Sequence, residues 1–199
     1  MSEKSQLLNL PNVITLMRIL LVPVFVLLYI MHAPWTYFAA ALFFGLAAFT
    51  DWLDGYLARR LNQTTPFGAF LDPVADKLIV VSALVILIGH HHNWWLTLPG
   101  LIIVGREIVI SALREWMAEM NSSGKVSVNM LGKVKTTIQM IAIALLLAQQ
   151  PEPMTTPLVI TYVLIYVAAF MTLWSMTIYL HAAWPTLISG LRGDSPGPR

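Results

Sequence analysis

The run Asp51-Trp-Leu-Asp54-Gly55-Tyr-Leu-Ala58-Arg59, followed by Gly68-Ala-Phe-Leu-Asp72-Pro-Val-Ala-Asp76, sets four carboxylates at the border of apolar stretches. Carboxylates beside hydrocarbon are costly to keep ionised, so a regularly spaced cluster is expected to be functional and to hold cations. At 100° of rotation per helical residue, Asp54 lies about −60° from Asp51, Gly55 about +40°, Ala58 about −20° and Arg59 about +80°. One helix face would then carry two carboxylates, two tiny side chains and a guanidinium. Asp72 and Asp76, four residues apart, share a face of the next helix. If the two faces meet, all four carboxylates converge, and each is pushed toward protonation unless cations neutralise the group. One or two Mg²⁺ would do so, and a pair about 4 Å apart suits displacement at phosphorus. With no His or Cys nearby, the set favours a hard, oxygen-preferring metal over zinc.

The small residues fit the same chemistry. Gly55, Ala58 and Gly68 leave open space in which a flat base or a pyrophosphate can approach the backbone, and Arg59 stands where a guanidinium meets phosphate oxygens. Each also has a plainer reading. Gly and Ala permit close helix packing, Arg59 sits where flanking basic residues often do, and Asp72 before Pro73 resembles a helix N-cap.

The elements that must position these groups follow from composition. The chain of 199 residues is 57% hydrophobic and 11% charged, with a mean hydropathy of +0.71, which places it outside ordinary soluble domains. Six stretches, about 13–31, 35–57, 73–90, 96–118, 134–149 and 157–182, come close to the roughly 20 apolar residues that one helical crossing needs. The predicted fold is therefore all-α: a polytopic membrane protein with six transmembrane helices, forming a single catalytic domain over 1–190 with a flexible tail at 191–199. The loops at 32–34, 89–95 and 149–156 hold none of the twelve Lys and Arg, whereas the N-terminus, the 58–72 and 119–133 segments and the C-terminus hold or adjoin nearly all. By the positive-inside rule both termini and the aspartate cluster face the cytosol. A basic face toward an anionic leaflet suits phosphorylated partners and lipid headgroups, and no module for reading nucleic acid is visible. Arg18 interrupts the first apolar stretch, and a second follows at once, so the first is read as a retained helix and not a signal peptide. The absence of cysteine excludes disulfide and thiolate chemistry.

Basic residues outside the cluster are the candidates for choosing a substrate. Arg106 falls well inside the fourth stretch, where a guanidinium needs an anionic partner. Glu107 is next in sequence but about 100° away around the helix, while Arg114 returns to within about 80° of Arg106. A phosphate on an acceptor would satisfy both arginines. Lys133 and Lys135 enter the fifth stretch pointing about 200° apart, so one of them joins this pocket unless Lys133 lies in the loop. The alternatives are a structural ion pair for Arg106 and membrane-flank anchoring for the lysines.

The string D-x2-D-G-x2-A-R-x8-G-x3-D-x3-D is matched at all eight positions by Asp51, Asp54, Gly55, Ala58, Arg59, Gly68, Asp72 and Asp76. It resembles the signature of the CDP-alcohol phosphotransferases. That resemblance implies a six-helix membrane enzyme, usually a homodimer, which moves a phosphatidyl or similar group from a CDP-linked donor to an alcohol and releases CMP. It implies two divalent ions, Mg²⁺ or Mn²⁺, held by Asp51, Asp54 and Asp72, with Asp76 completing the metal site and acting as general base. Three further segments, Leu10–Arg18, Gly105–Trp116 and Leu131–Thr136, are similar to bacterial members of the family, a likeness reaching about residue 184. From them follow CDP-diacylglycerol as donor, sn-glycerol 3-phosphate as acceptor, membrane lipids as surroundings and the bacterial inner membrane as location. Asn12 is placed beside the nucleotide, with Gly55, Ala58, Arg59 and Gly68; Arg106, Arg114, Lys133 and Lys135 are placed on the acceptor phosphate.

Other features carry less. His90-His91-His92 is expected to be a solvated turn on the side away from the aspartates, Trp35, Trp94, Trp95, Trp174 and Trp184 to be interfacial anchors, and the ten methionines to be adaptable packing. Two rivals remain: a divalent-cation transporter, which would place carboxylates nearer mid-membrane, and a cardiolipin, phosphatidylserine or phosphatidylinositol-phosphate synthase sharing the signature.

Overall fold

The computed structural model describes residues 10–61, 65–119 and 130–191, with the side chains at 11, 52, 54–59, 61, 118–119, 130–133, 182, 185–187 and 189–191 excepted. Among the described residues the chain is all helical. The six helices are α1 (Leu10–Ile30), α2 (Pro34–Leu61), α3 (Pro66–His91), α4 (Trp94–Glu119), α5 (Met130–Leu147) and α6 (Thr156–Leu191). Three segments, Asn12–Ile30 in α1, Trp94–Met117 in α4 and Thr156–His181 in α6, are long and apolar enough to cross a membrane, and Val134–Leu147 in α5 is a shorter apolar helix. The residues after Leu191, where the tail is expected, lie outside the described set.

Local caps define both ends of α3 and the start of α4. Thr65 has extended backbone, and its Oγ1 accepts from the Gly68 amide at 3.0 Å. Pro66 then occupies the first helical position, where its missing N–H costs nothing. At the far end His92 adopts the left-handed conformation (φ 45°) and returns its amide to the Ile88 carbonyl. Asn93 immediately caps α4 by accepting from the Leu96 amide at 3.0 Å.

Thr65 as the cap corrects the sequence reading of this region. The helix predicted over 73–90 begins at Pro66, and Asp72 lies inside it, not at its N-cap. Pro73 is within the helix, where it leaves the Ala69 carbonyl without its usual amide. The sixth helix likewise runs past 182 to Leu191.

Packing brings the first three helices into one unit. α1 lies along both α2 and α3, whereas α2 and α3 touch each other only slightly; α6 packs on α4 and α5. The core holds Phe25 against Phe44 edge-to-face, ring centres 5.8 Å apart, and Tyr29 against Tyr37 in the same way. Large apolar side chains such as Leu20, Phe38, Phe70 and Phe170 are about two-thirds exposed on the outside, the arrangement of a bundle that meets lipid.

At the end of the bundle where α3 stops, the histidine run departs from expectation. His91 is buried and its Nδ1 shares a 2.8 Å hydrogen bond with the Tyr162 hydroxyl, which also accepts from Asn93 Nδ2 at 2.8 Å. His90 meets His32 through Nδ1 and the Tyr37 hydroxyl through Nε2, each at 3.1 Å. Only His92 behaves as the exposed turn residue predicted for the whole run.

Candidate active site

Arg18 organises the opposite end. It is fully buried, and its Nη1 donates to Asp51 Oδ1 and Asp76 Oδ1, both at 2.7 Å. Those two oxygens, one from α2 and one from α3, therefore lie no farther apart than twice that distance. Each aspartate keeps about half its side-chain surface open (50% and 53%) while Arg18 has none. One turn back along α1, Thr15 Oγ1 donates to Asp72 Oδ1 at 3.0 Å. A turn further back, buried Asn12 donates through Nδ2 to Thr65 Oγ1 at 3.0 Å, and Thr65 Oγ1 lies 3.2 Å from Asn12 Oδ1. Residues 12, 15 and 18 thus form a polar stripe that meets the cluster in register, since positions three apart share a helix face.

The stripe changes the reason for Gly68. A Cβ there would come within 2.6 Å of Asn12 Oδ1 and 3.3 Å of Thr65 Oγ1. The space left by the missing side chain is filled by Asn12 and is not open to a base. The backbone of Asp54, Gly55, Ala58 and Arg59 is helical, but their side chains lie outside the described set, as does that of Lys133.

The second group of predicted residues divides. Buried Arg106 donates from Nη1 to Glu107 Oε1 at 2.8 Å, and Lys135 Nζ, also buried, lies 3.6 Å from the same oxygen. Glu107, which helical angle alone does not require as the partner of Arg106, is its partner, because the long arginine side chain bends across the intervening 100°. Two cations thus share one carboxylate. Arg114 is exposed, donating to the Tyr179 hydroxyl at 3.0 Å with its guanidinium 5.0 Å from the centre of that ring. No described contact joins it to Arg106. Between them, Ser111 receives a hydrogen bond from Lys77, the residue after Asp76, so α3 and α4 are tied beside the cluster.

The donor chemistry suits a divalent cation of the hard class: carboxylate oxygens on two helices, drawn together and half open, with no thiolate or imidazole beside them. Among the described residues no three acidic or histidine side chains gather within one ion's reach, and Asp54, the fourth carboxylate, lies outside that set. The sequence reading did not include Arg18, which contacts two of the candidate aspartates, and it left open whether Glu107 partners Arg106. For Arg18 the signal was present: a charge in an apolar helix, three and six residues after two other polar groups.

The chain matches the model of the family described as CDP-alcohol phosphatidyltransferase over residues 8–174. It belongs to that family. Among curated relatives, it is 54% identical over 183 residues to the CDP-diacylglycerol--glycerol-3-phosphate 3-phosphatidyltransferase of Pseudomonas fluorescens, covering 90% of this chain and 92% of that protein. It is 52% identical over 180 residues to proteins of the same name from Escherichia coli (strain K12) and Shigella flexneri serotype 5b, covering 90% of this chain and 97% of each.

Proposed function

We propose that this chain transfers the phosphatidyl group of CDP-diacylglycerol to sn-glycerol 3-phosphate, forming phosphatidylglycerophosphate and releasing CMP. Identity of 52–54% to relatives named for that transfer, over 90% of the chain, supports the choice of substrates. The observation that carries the chemistry is the meeting of Asp51 and Asp76 on one Arg18 nitrogen, which draws carboxylates of two helices toward one space.

In this reading Asp51, Asp54, Asp72 and Asp76 hold divalent cations, two Mg²⁺ or Mn²⁺. Bound there, the ions would supply charge neutralisation for the donor pyrophosphate and for departing CMP. Asp76 takes the proton from the acceptor hydroxyl, which attacks the phosphorus of the phosphatidyl group directly. Arg59 meets donor phosphate, and Asn12, Gly55, Ala58 and Gly68 shape the nucleotide side; for Asn12 and Gly68 that shaping acts through the Thr65 cap. Arg106, Lys133 and Lys135 receive the acceptor phosphate, with Arg114 at the rim. Glu107 holds Arg106 and Lys135 together in the absence of phosphate, and its partial exposure lets an anion share their charge.

All six helices cross the bacterial inner membrane in this reading, with both termini and the aspartates on the cytosolic side, and residues 1–190 form one catalytic domain that pairs as a homodimer. The decisive experiment presents purified protein and CDP-diacylglycerol with glycerol 3-phosphate, serine, inositol phosphate or phosphatidylglycerol, and follows CMP release. Turnover is expected with glycerol 3-phosphate. Preference for another acceptor would reassign the substrate within the family, and divalent-ion uptake into proteoliposomes without CMP release would mark a transporter.

A further inference from the structure

We propose that Arg18 is a positioning residue for cation binding: its buried guanidinium aligns Asp51 of α2 with Asp76 of α3, so that the open sides of both carboxylates face one divalent ion. This rests on the metal reading given above and adds a residue from a different helix to it. Three observations carry it. The guanidinium has no exposed surface, while the two carboxylates that it binds at 2.7 Å are each about half exposed. Arg18 therefore grips them from the closed side and leaves the other side accessible. Among the described residues the helices that supply the aspartates scarcely touch each other, and α1 packs along both, so the described link between Asp51 and Asp76 runs through α1. Finally, Thr15, one turn earlier on the same face, fixes Asp72 in the same manner at 3.0 Å. The face of α1 thus orients three of the four carboxylates.

Two effects of Arg18 on a bound cation oppose each other. Its positive charge repels the ion, and its hydrogen bonds hold the ligands where the ion needs them. Partners of metal ligands typically change affinity by 10–100-fold when removed, and ligands on two weakly contacting helices depend on such a partner more than ligands on one rigid element. Positioning therefore outweighs repulsion here. A lysine would keep the charge but replace the planar fork by a single point donor, so it should recover only part of the effect.

The test measures Mn²⁺ binding to the purified full chain by electron paramagnetic resonance, alongside the Mn²⁺ dependence of CMP release and thermal unfolding. Wild type, Arg18→Gln, Arg18→Lys and a stability control, Phe25→Leu in the core away from the aspartates, are compared. The expected result is Mn²⁺ affinity 10–100-fold weaker in Arg18→Gln and intermediate in Arg18→Lys, with raised Mn²⁺ restoring activity. Phe25→Leu should lower the unfolding temperature and leave Mn²⁺ affinity unchanged. Unchanged Mn²⁺ affinity in the Arg18 variants would make Arg18 a purely structural ion pair, and tighter binding would make it a competitor of the metal; either overturns the proposal. If Arg18→Gln fails to fold, Arg18→Lys alone decides by the same criterion. Failure of the wild type to bind Mn²⁺ would overturn the metal reading itself, and the inference with it.

Discussion

The two ends of the helical bundle both contain clustered polar side chains, yet they are built on opposite rules. At the histidine end, His32, His90, His91, Tyr37, Tyr162 and Asn93 bond to one another at 2.8–3.1 Å, and the His32 and His90 rings stack with centres 4.4 Å apart. Every member can be neutral, and the rings add apolar surface, so the members pair with one another at a gain of about 1 kcal/mol per hydrogen bond. At the aspartate end the members are formally charged, and Asp51 and Asp76 stay half open although a buried guanidinium holds each. An end that keeps them so is shaped for a ligand, whereas the other is shaped to close the bundle.

Substitutions can break this contrast or sharpen it. The largest effect is expected from Asp76→Asn, which should lower CMP release by roughly 10²–10⁴-fold, the range typical of a lost general base, while CDP-diacylglycerol still binds. Turnover near that of the wild type would remove Asp76 from the base role. Arg106→Ala comes next: it leaves Glu107 facing Lys135 alone and should cost on the order of 3 kcal/mol of stability, with a raised KM for glycerol 3-phosphate and little change in the KM for the donor. A change confined to stability would mark the Arg106–Glu107 pair as structural. Gly68→Ala drives a methyl group against Asn12 and should destabilise by about 1–3 kcal/mol, the usual cost of overpacking; adding Asn12→Ala should relieve part of it, as a denaturation series on the double variant would record. At the histidine end Tyr162→Phe removes the partner of both His91 and Asn93, for about 1–2 kcal/mol of stability, and kcat/KM should be unchanged. Loss of activity there would erase the division between the ends.

How far the sequence could be read depended on whether a residue acts through its own helix. The aspartate spacing, the all-helical character and the order of the elements follow from periodicities within single helices, and these are local properties. Asp72 with Asp76 needs only the 3.6-residue turn. What the sequence conceals is which face of one helix meets which face of another. Arg18 was visible as a charge in an apolar run, but its partners lie 33 and 58 residues away, a pairing that no local period encodes. Gly68 pointed to open space for the same reason, because the group that fills the space belongs to α1. For Arg106 the helical angle leaves the partner open, because a flexible four-bond arm lets side-chain direction diverge from backbone angle. The sequence pattern puts the start of α3 at Pro73 as a first-turn proline, whereas Thr65-Pro66 supplies a cap seven residues earlier.

The length of α6 has a consequence for how reactants arrive. Its 36 residues extend about 54 Å at 1.5 Å per residue, well beyond the roughly 30 Å of a hydrocarbon layer. The chain enters α6 at the histidine end, where Tyr162 meets His91, so in the proposed membrane setting the surplus lies past Tyr179 and Arg114, toward the aspartate end. In that setting the overhang would make the aspartate end a two-phase boundary, where a lipid-borne donor would meet a water-borne alcohol. On such a boundary turnover follows two concentrations measured in different units, donor per area of lipid and acceptor per volume of water, and diluting the lipid surface should slow the reaction even when total donor is held constant.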